Sequence, residues 1–231
     1  LDLLLNWDGE LAADSAAAAL FEVWYRRHLR PALLDAALAP LVPPDERALT
    51  LARVLPAEEL GTDARVDLDL LLTPGDRLGP DPYGTLRRIV QATLAGAMAE
   101  VEGLLGPDTG KWAWGRLHQA EPRHPLAGRL GGRDWTSTGP VPRGGSGDTV
   151  GSTAYTPDFR QLAGATFRLV IDVGSWDDSV AMNAPGQSGV PSSPHHHDLF
   201  ASWSADEAFP LLYSREAVEK ALAERIILIR K

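Results

Sequence analysis

The chain is 231 residues long, 44% hydrophobic and 23% charged, a composition that supports a folded core organised as one domain or two small ones. Its 22 basic residues are scattered and outnumbered by 31 acidic ones, a formal balance of −9, so nucleic acid is not an expected partner. The absence of cysteine excludes disulfides, a thiolate nucleophile and Cys-based zinc sites, and is compatible with cytosol and periplasm alike.

From Asp14 to Ala37 the chain is rich in Ala and Leu, with Ala17, Leu20, Phe21 and Trp24 at amphipathic-helix spacing. Asp14 or Ser15 is the expected cap, and Pro31 is expected to kink or split the helix. Pro40–Pro44 breaks this element, and Asp45 to Leu72 reads as two or three short helices with acidic first turns. A second long helix is predicted over Tyr83–Leu105, with Leu86, Ile89, Val90, Leu94, Ala97, Val101 and Leu104 in one apolar stripe and Gly106-Pro107 as its stop.

Gly106 to Gly151 is dense in Gly, Pro and Trp without a sustained period, and reads as a long ordered loop. The period then changes to two. Phe167, Leu169, Ile171 and Val173 alternate with Arg168 and Asp172, and Ser179–Ala184 follows a turn over Gly174–Asp178, which predicts a hairpin. Ser214–Ala223 is expected as a helix and Arg225–Arg230 as a buried strand. The order predicts an α+β architecture, with long helices first and antiparallel strands last. Residues 1–110 form its mainly helical region, and 111–231 its loop-rich region with strands and a final helix and strand. No apolar run approaches the roughly 20 residues of a bilayer span, and Leu1–Glu10 lacks the features of a signal peptide.

Four groups of residues are candidates for chemistry. His195, His196, His197 and Asp198 offer three imidazoles and a carboxylate to a metal, with His28, His118 or His124 as distant partners. Adjacent histidines diverge in most loops, however, so adventitious metal binding is the more ordinary expectation. Ser146 and Ser188 lie among glycines, but Asp148 and Val190 stand where a nucleophile elbow needs its second glycine. Asp172, Asp177 and Asp178 have the spacing of a turn whose side chains satisfy local backbone donors. Trp112, Trp114, Trp135 and Trp176 are expected to pin loops to a core.

Leu4-Leu-Asn-Trp-Asp-Gly9, Phe21-Glu-Val-Trp24, Trp112-Ala-Trp-Gly-Arg-Leu-His118 and Arg123-His-Pro-Leu126 together resemble the penicillin acylase family of N-terminal nucleophile hydrolases. The more specific part is an ordered series: Arg143-Gly-Gly-Ser-Gly-Asp-Thr-Val150, Phe167-Arg168, Asn183-Ala-Pro-Gly-Gln-Ser-Gly189, then Ser193-Pro-His195 with Asp198. Tyr213-Ser-Arg-Glu-Ala-Val218 is similar to the family's last helix. The family pattern has an aromatic residue after Ser-Pro-His, where this chain has His196 and His197.

The resemblance implies the C-terminal portion of a β-subunit, whose late strands complete an αββα sandwich. It also implies a precursor that cuts itself, exposing a serine whose own α-amine acts as the base. Leu1 has no hydroxyl, and the family's nucleophile, oxyanion-hole asparagine, arginine and calcium ligands lie upstream. The expectation is therefore no catalytic, cofactor or metal residue in this chain, which alone is expected to be inactive.

The implied partners are the α-subunit and the N-terminal part of the β-subunit, and a homodimer of the chain is a further possibility. The implied reaction is hydrolysis of an N-acyl amide, on a β-lactam side chain or an acyl-homoserine lactone, in the periplasm or outside the cell. Two alternatives remain: a non-catalytic structural or binding module on the same scaffold, and a histidine-dependent metal hydrolase. The loop Pro185–His195 is expected to use Gly186 and Gly189 for backbone conformations that other residues resist.

Overall fold

A computed structural model describes residues 1–55, 64–123 and 138–229. They form an α+β structure, helices first and antiparallel strands later. The chain divides into two compact units. One combines Leu1–Glu121 with Gly139–Gly164, and the other combines Pro122–Thr138 with Ala165–Lys231.

In the first unit, α1 (Asp2–Leu5) precedes a long helical run. Its first segment, α2 (Ala16–Val23), starts at Ser15, whose hydroxyl accepts the Ala18 N–H at 3.1 Å. A π-helical turn, Trp24–Leu29, follows, and α3 (Arg30–Leu38) continues the run. Pro31 cannot donate to the carbonyl four residues back. The turn just before it is widened instead, and the Arg30 N–H reaches Tyr25 O five residues away. One predicted helix is thus three contiguous segments.

α4 (Pro44–Val54) carries Asp45 and Glu46 in its first turn, and α5 (Arg65–Leu72) carries Asp67. A 3-10 turn, Gly75–Leu78, leads to α6 (Pro82–Leu105). The Asp81 carboxylate caps α6 by accepting the Gly84 N–H at 3.0 Å, and Gly106 ends it at φ +93°. Ala97, Val101 and Leu105 are its buried residues, whereas Leu104 is 45% exposed and Leu105 only 8%. A core contact one turn after Val101 falls at i+4 here, so the stripe ends one residue later than expected.

Two apolar clusters organise this unit. Ala18, Ala19, Leu20 and Val23 of α2 pack with Ala97, Val101 and Leu105 of α6 and with Trp112, Trp114, Tyr155 and Phe159. The alanines present little side-chain bulk on the α2 face, which leaves room for the large rings to fill the space. Leu29, Leu33, Leu70 and Leu78 form the second cluster, against which Leu86, Ile89 and Val90 of α6 pack.

The stretch expected as one long ordered loop contains short regular pieces. These are a 3-10 turn at Thr109–Lys111, α7 (Trp114–Leu117), and the antiparallel pair β1 (Gln119–Ala120) and β2 (Val141–Pro142). Pieces of two to four residues are too short to leave a period in the sequence. His124 and Trp135 lie outside the described residues.

In the second unit, β3 (Phe167–Val170) pairs antiparallel with β4 (Val180–Asn183), with Phe167 opposite Asn183 and Val170 opposite Val180. The predicted hairpin is therefore present, and β5 (Phe209–Pro210) adds to its other edge to give the order β3-β4-β5. Burial along β3 does not follow the period of two. Arg168 lies over the Trp203 ring and pairs with Asp206, whereas Phe167, Leu169 and Val170 are exposed. α8 (Phe200–Ser204) buries Phe200 and Trp203, and Ala181 and Met182 of β4 are buried as well.

α9 (Arg215–Ala221) is capped by Ser214, whose hydroxyl accepts the Ala217 N–H at 3.1 Å. The apolar run expected as a buried strand behaves differently. Arg225–Ile229 carries no strand pairing among the described residues, and Ile226, Ile227, Leu228 and Ile229 are exposed, Leu228 to 93%. β-propensity makes a strand only where another strand's backbone is there to pair with.

Candidate functional site

The helical run from α2 to α3 places Glu22, Tyr25, Arg26 and Arg30 beside two acceptors and donors from distant sequence. The Tyr155 hydroxyl donates to Glu22 Oε2 at 2.6 Å, Arg26 Nε lies 3.7 Å from the same oxygen, and the Arg26 guanidinium also pairs with Asp148. The Tyr25 hydroxyl donates to Asp67 Oδ2 at 2.6 Å, and Arg30 Nε lies 2.9 Å from that oxygen. Glu22 and Asp67 are both buried. Burial first, and then the hydrogen bond donated to Asp67, push the Tyr25 phenol well above its ordinary range, so it stays a donor.

Between these two groups lies a cavity of about 420 Å³ with almost wholly apolar walls, formed by Leu11, Phe21, Trp24, Leu29, Leu71 and Val90 among others. That volume falls in the range of about 300–1,000 Å³ usual for small-molecule sites. Asp67 and Asp148 are also on its wall, and Asp67 Oδ1 has no hydrogen-bond partner among the described residues.

Sequence reasoning passed over this network, although one local sign was available. Glu22 interrupts the apolar series Leu20, Phe21, Val23, Trp24, and Arg26 follows at i+4, which is the pattern of an ion pair carried into a core. Tyr155 lies 133 residues away, beyond the reach of any spacing rule.

The residues singled out from the sequence do not assemble into a catalytic group among the described residues. Ser146 is buried, and its hydroxyl accepts the Asp148 N–H at 3.3 Å. Its carbonyl accepts from the Thr149 hydroxyl and the Thr153 N–H. Gly145 donates to the Leu11 carbonyl at 2.7 Å and accepts from Trp114 Nε1 at 2.8 Å. This glycine-rich loop is therefore a brace holding the α1–α2 connection against α7. Ser188 likewise accepts the Val190 N–H at 3.1 Å through its hydroxyl.

The three adjacent histidines diverge. His195 Nδ1 pairs with Asp198 Oδ2 at 2.8 Å, His196 Nδ1 bonds the Ser188 carbonyl at 3.1 Å, and the His196 and His197 rings meet edge to face. Among the described residues no three of His, Asp and Glu converge on a metal position. His28 pairs with Glu100 at 2.7 Å. His118 is fully buried, donates from Nδ1 to the Arg143 carbonyl at 3.0 Å and stacks on Trp114 at 4.9 Å. Burial is the main cause that drives its pKa down to about 4, against the opposing pull of the hydrogen bond to Arg143.

Asp172 Oδ1 accepts the N–H groups of Gly174 and Ser175, and Asp177 Oδ1 accepts those of Tyr213 and Ser214. The local-donor reading of these turn carboxylates thus holds at Asp172, whereas Asp177 takes its donors from 36 and 37 residues further along the chain. Trp112 and Trp114 are buried anchors, whereas Trp176 is half exposed against Tyr213. The glycines of the Pro185–His195 loop differ from expectation, because neither Gly186 nor Gly189 has a positive φ. Gly186 is needed for space instead. A Cβ there would lie 2.5 Å from the His195 carbonyl oxygen and 2.7 Å from that of His196.

Comparison with known proteins gives a consistent result. The family model for penicillin amidase matches residues 1–220. An acyl-homoserine lactone acylase, QuiP, of Pseudomonas aeruginosa is 30% identical over 221 residues, covering 87% of this chain and 25% of the relative. The enzyme of the same name from Pseudomonas putida is 32% identical over 207 residues, covering 87% and 24%. The penicillin acylase 2 proenzyme of Pseudomonas sp. (strain SE83) is 38% identical over 121 residues, covering 49% and 15%. Among solved structures, a thermostable penicillin G acylase from Alcaligenes faecalis aligns over 100% of this chain and 42% of its own, with a TM-score of 0.48 and 18% identity. The chain spans about a quarter of the length of the acyl-homoserine lactone acylases it matches.

Proposed function

The chain belongs to the penicillin amidase family, and from that premise we propose that it is the scaffolding part of an amidohydrolase acting on N-acyl amides. The family match over residues 1–220 carries this reading, and the relatives' names, acyl-homoserine lactone acylase and penicillin acylase, support an N-acyl substrate of one of these kinds. On this reading the nucleophile is the serine exposed at the start of the β-subunit when a common precursor cuts itself. A terminal amine titrates near neutrality, so it can take the serine proton and return it to the leaving amine.

The local chemistry supports a structural role for these residues. Ser146 and Ser188 spend their hydroxyls on backbone N–H groups. Asp172 and Asp177 each give Oδ1 to two backbone N–H groups. The exposed face of β3 and the run Arg225–Ile229, which has no strand partner among the described residues, are the surfaces offered to the remainder of the protein. Pairing there completes the αββα layers, in an enzyme that works outside the cytoplasm.

The test is to assay the purified 231-residue chain beside the complete precursor, with chromogenic phenylacetyl and long-chain fatty-acyl anilides. Turnover by the precursor and none by the chain is the expected result. Turnover by the chain alone overturns the scaffolding role, and an inert precursor overturns the amidohydrolase.

A further inference from the structure

The cavity between α2, α5 and the Gly144–Thr153 loop has a chemical bias of its own. Its ionisable wall residues include three carboxylates, Glu22, Asp67 and Asp148, against one guanidinium, Arg26, which is already shared between Glu22 and Asp148. Arg30 reaches Asp67 from outside the wall, and both it and Tyr25 engage Oδ2. Asp67 is 2% exposed, and its Oδ1 is left without a hydrogen bond among the described residues. A buried carboxylate oxygen in an apolar surround is costly unless a donor reaches it. The remaining wall is aromatic and aliphatic.

We propose that this cavity binds a small amphiphile made of an apolar body and one ammonium group, with the ammonium seated against Asp67. The body replaces water along Phe21, Trp24, Leu29 and Leu71, and the ammonium supplies a charge-assisted donor and balances the excess negative charge. A carboxylate ligand of the same shape is repelled. A neutral alcohol fills the same volume but brings a weaker donor and no charge. This site does not rest on the amide-hydrolysis reading, because it is argued from the charge and packing of its own wall residues.

Isothermal titration calorimetry on the purified protein at pH 7 tests it with three probes of equal length: n-octylammonium, n-octanol and octanoate. One saturable site is expected, with octylammonium about tenfold or more tighter than octanol and octanoate weakest. Asp67→Asn is expected to erase the preference for ammonium over alcohol. Leu68→Trp, at a half-exposed position on the wall, blocks entry of both probes without touching the Asp67 pairings. Equal affinity for octylammonium and octanol in the unmodified protein, or no saturable binding, overturns the proposal. That comparison stands even if Asp67→Asn fails to fold. A folded Asp67→Asn protein that keeps the ammonium preference overturns it as well.

Discussion

The hydroxyl of Tyr155 donates a 2.6 Å hydrogen bond to the carboxylate of Glu22, joining two buried residues 133 positions apart. Glu22 sits on the same helix as Ala18, Ala19 and Leu20, so its charge has been drawn into an apolar core. A carboxylate in that position is tolerable only with a donor and a counter-charge nearby; the Tyr155 hydroxyl is a donor, and Arg26 Nε, 3.7 Å away, brings positive charge.

Tyr155→Phe removes one of those donors and keeps the ring. Urea denaturation is expected to show a loss of about 1–3 kcal/mol. In Tyr155→Phe combined with Glu22→Gln the penalty should be smaller than the sum of the two single changes, because the polar demand at the site falls with the charge. A loss below about 0.5 kcal/mol for the single variant, as for an ordinary surface change, would refute this account.

His118 sets an acid limb on stability. Its pKa falls from 6.5 to about 4 on folding, so the unfolded chain takes up a proton that the folded one refuses. Stability is whole above about pH 6.5 and is lost as pH falls toward 4, by about 1.4 kcal/mol per pH unit and roughly 3 kcal/mol in all. Denaturation midpoints measured across that window should slope accordingly. They should flatten in His118→Phe relative to the unmodified chain, whatever that change does to absolute stability.

The end of α6 distinguishes two neighbours. Leu105→Ala is expected to cost about 2–5 kcal/mol, as for a buried leucine. Leu104→Ala should stay within about 0.5 kcal/mol, since Leu104 is exposed and Leu105 is in the core. Thermal unfolding of the pair checks the helix register, and the reverse order would place the apolar stripe where the sequence period puts it.

Within the Pro185–His195 loop, Gly186→Ala must displace the His195 and His196 carbonyls, whereas a Cβ at Gly189 meets nothing within 4 Å. Hydrogen exchange at the Ser188 amide, which donates to the His195 carbonyl at 2.9 Å, is the readout. Protection should fall in Gly186→Ala and persist in Gly189→Ala.

Asp177 ties the turn before β4 to the start of α9. The Ser214 hydroxyl, followed by the Ser214 and Tyr213 N–H groups, holds its carboxyl below the usual range. The tie is therefore present above about pH 4 and is lost as pH falls through the lowered folded value. Asp177→Ala should speed amide exchange at Tyr213 and Ser214 at neutral pH, with Asp177→Asn in between.

Local chemistry made much of this chain legible. Ser15, Asp81 and Ser214 announce helix starts because a cap needs only a side chain and an N–H three residues on. Gly106 announces a stop, and the alternation from Phe167 announces a strand whose partner follows within a few residues. The ordered series of motifs from Arg143 to Asp198 likewise sufficed to recognise the family.

What the tertiary structure alone decided is where buried charge goes and which apolar surfaces find cover. Tyr155 meets Glu22, Tyr25 and Arg30 converge on Asp67, and a cavity opens between them. Leu105 rather than Leu104 enters the core, and Arg225–Ile229 has no strand partner among the described residues in spite of its strand-like composition. Caps and periods depend on atoms a few residues apart, so sequence order encodes them directly. A buried ion's partner or a strand's neighbour depends on the path of the whole chain, which no local spacing records.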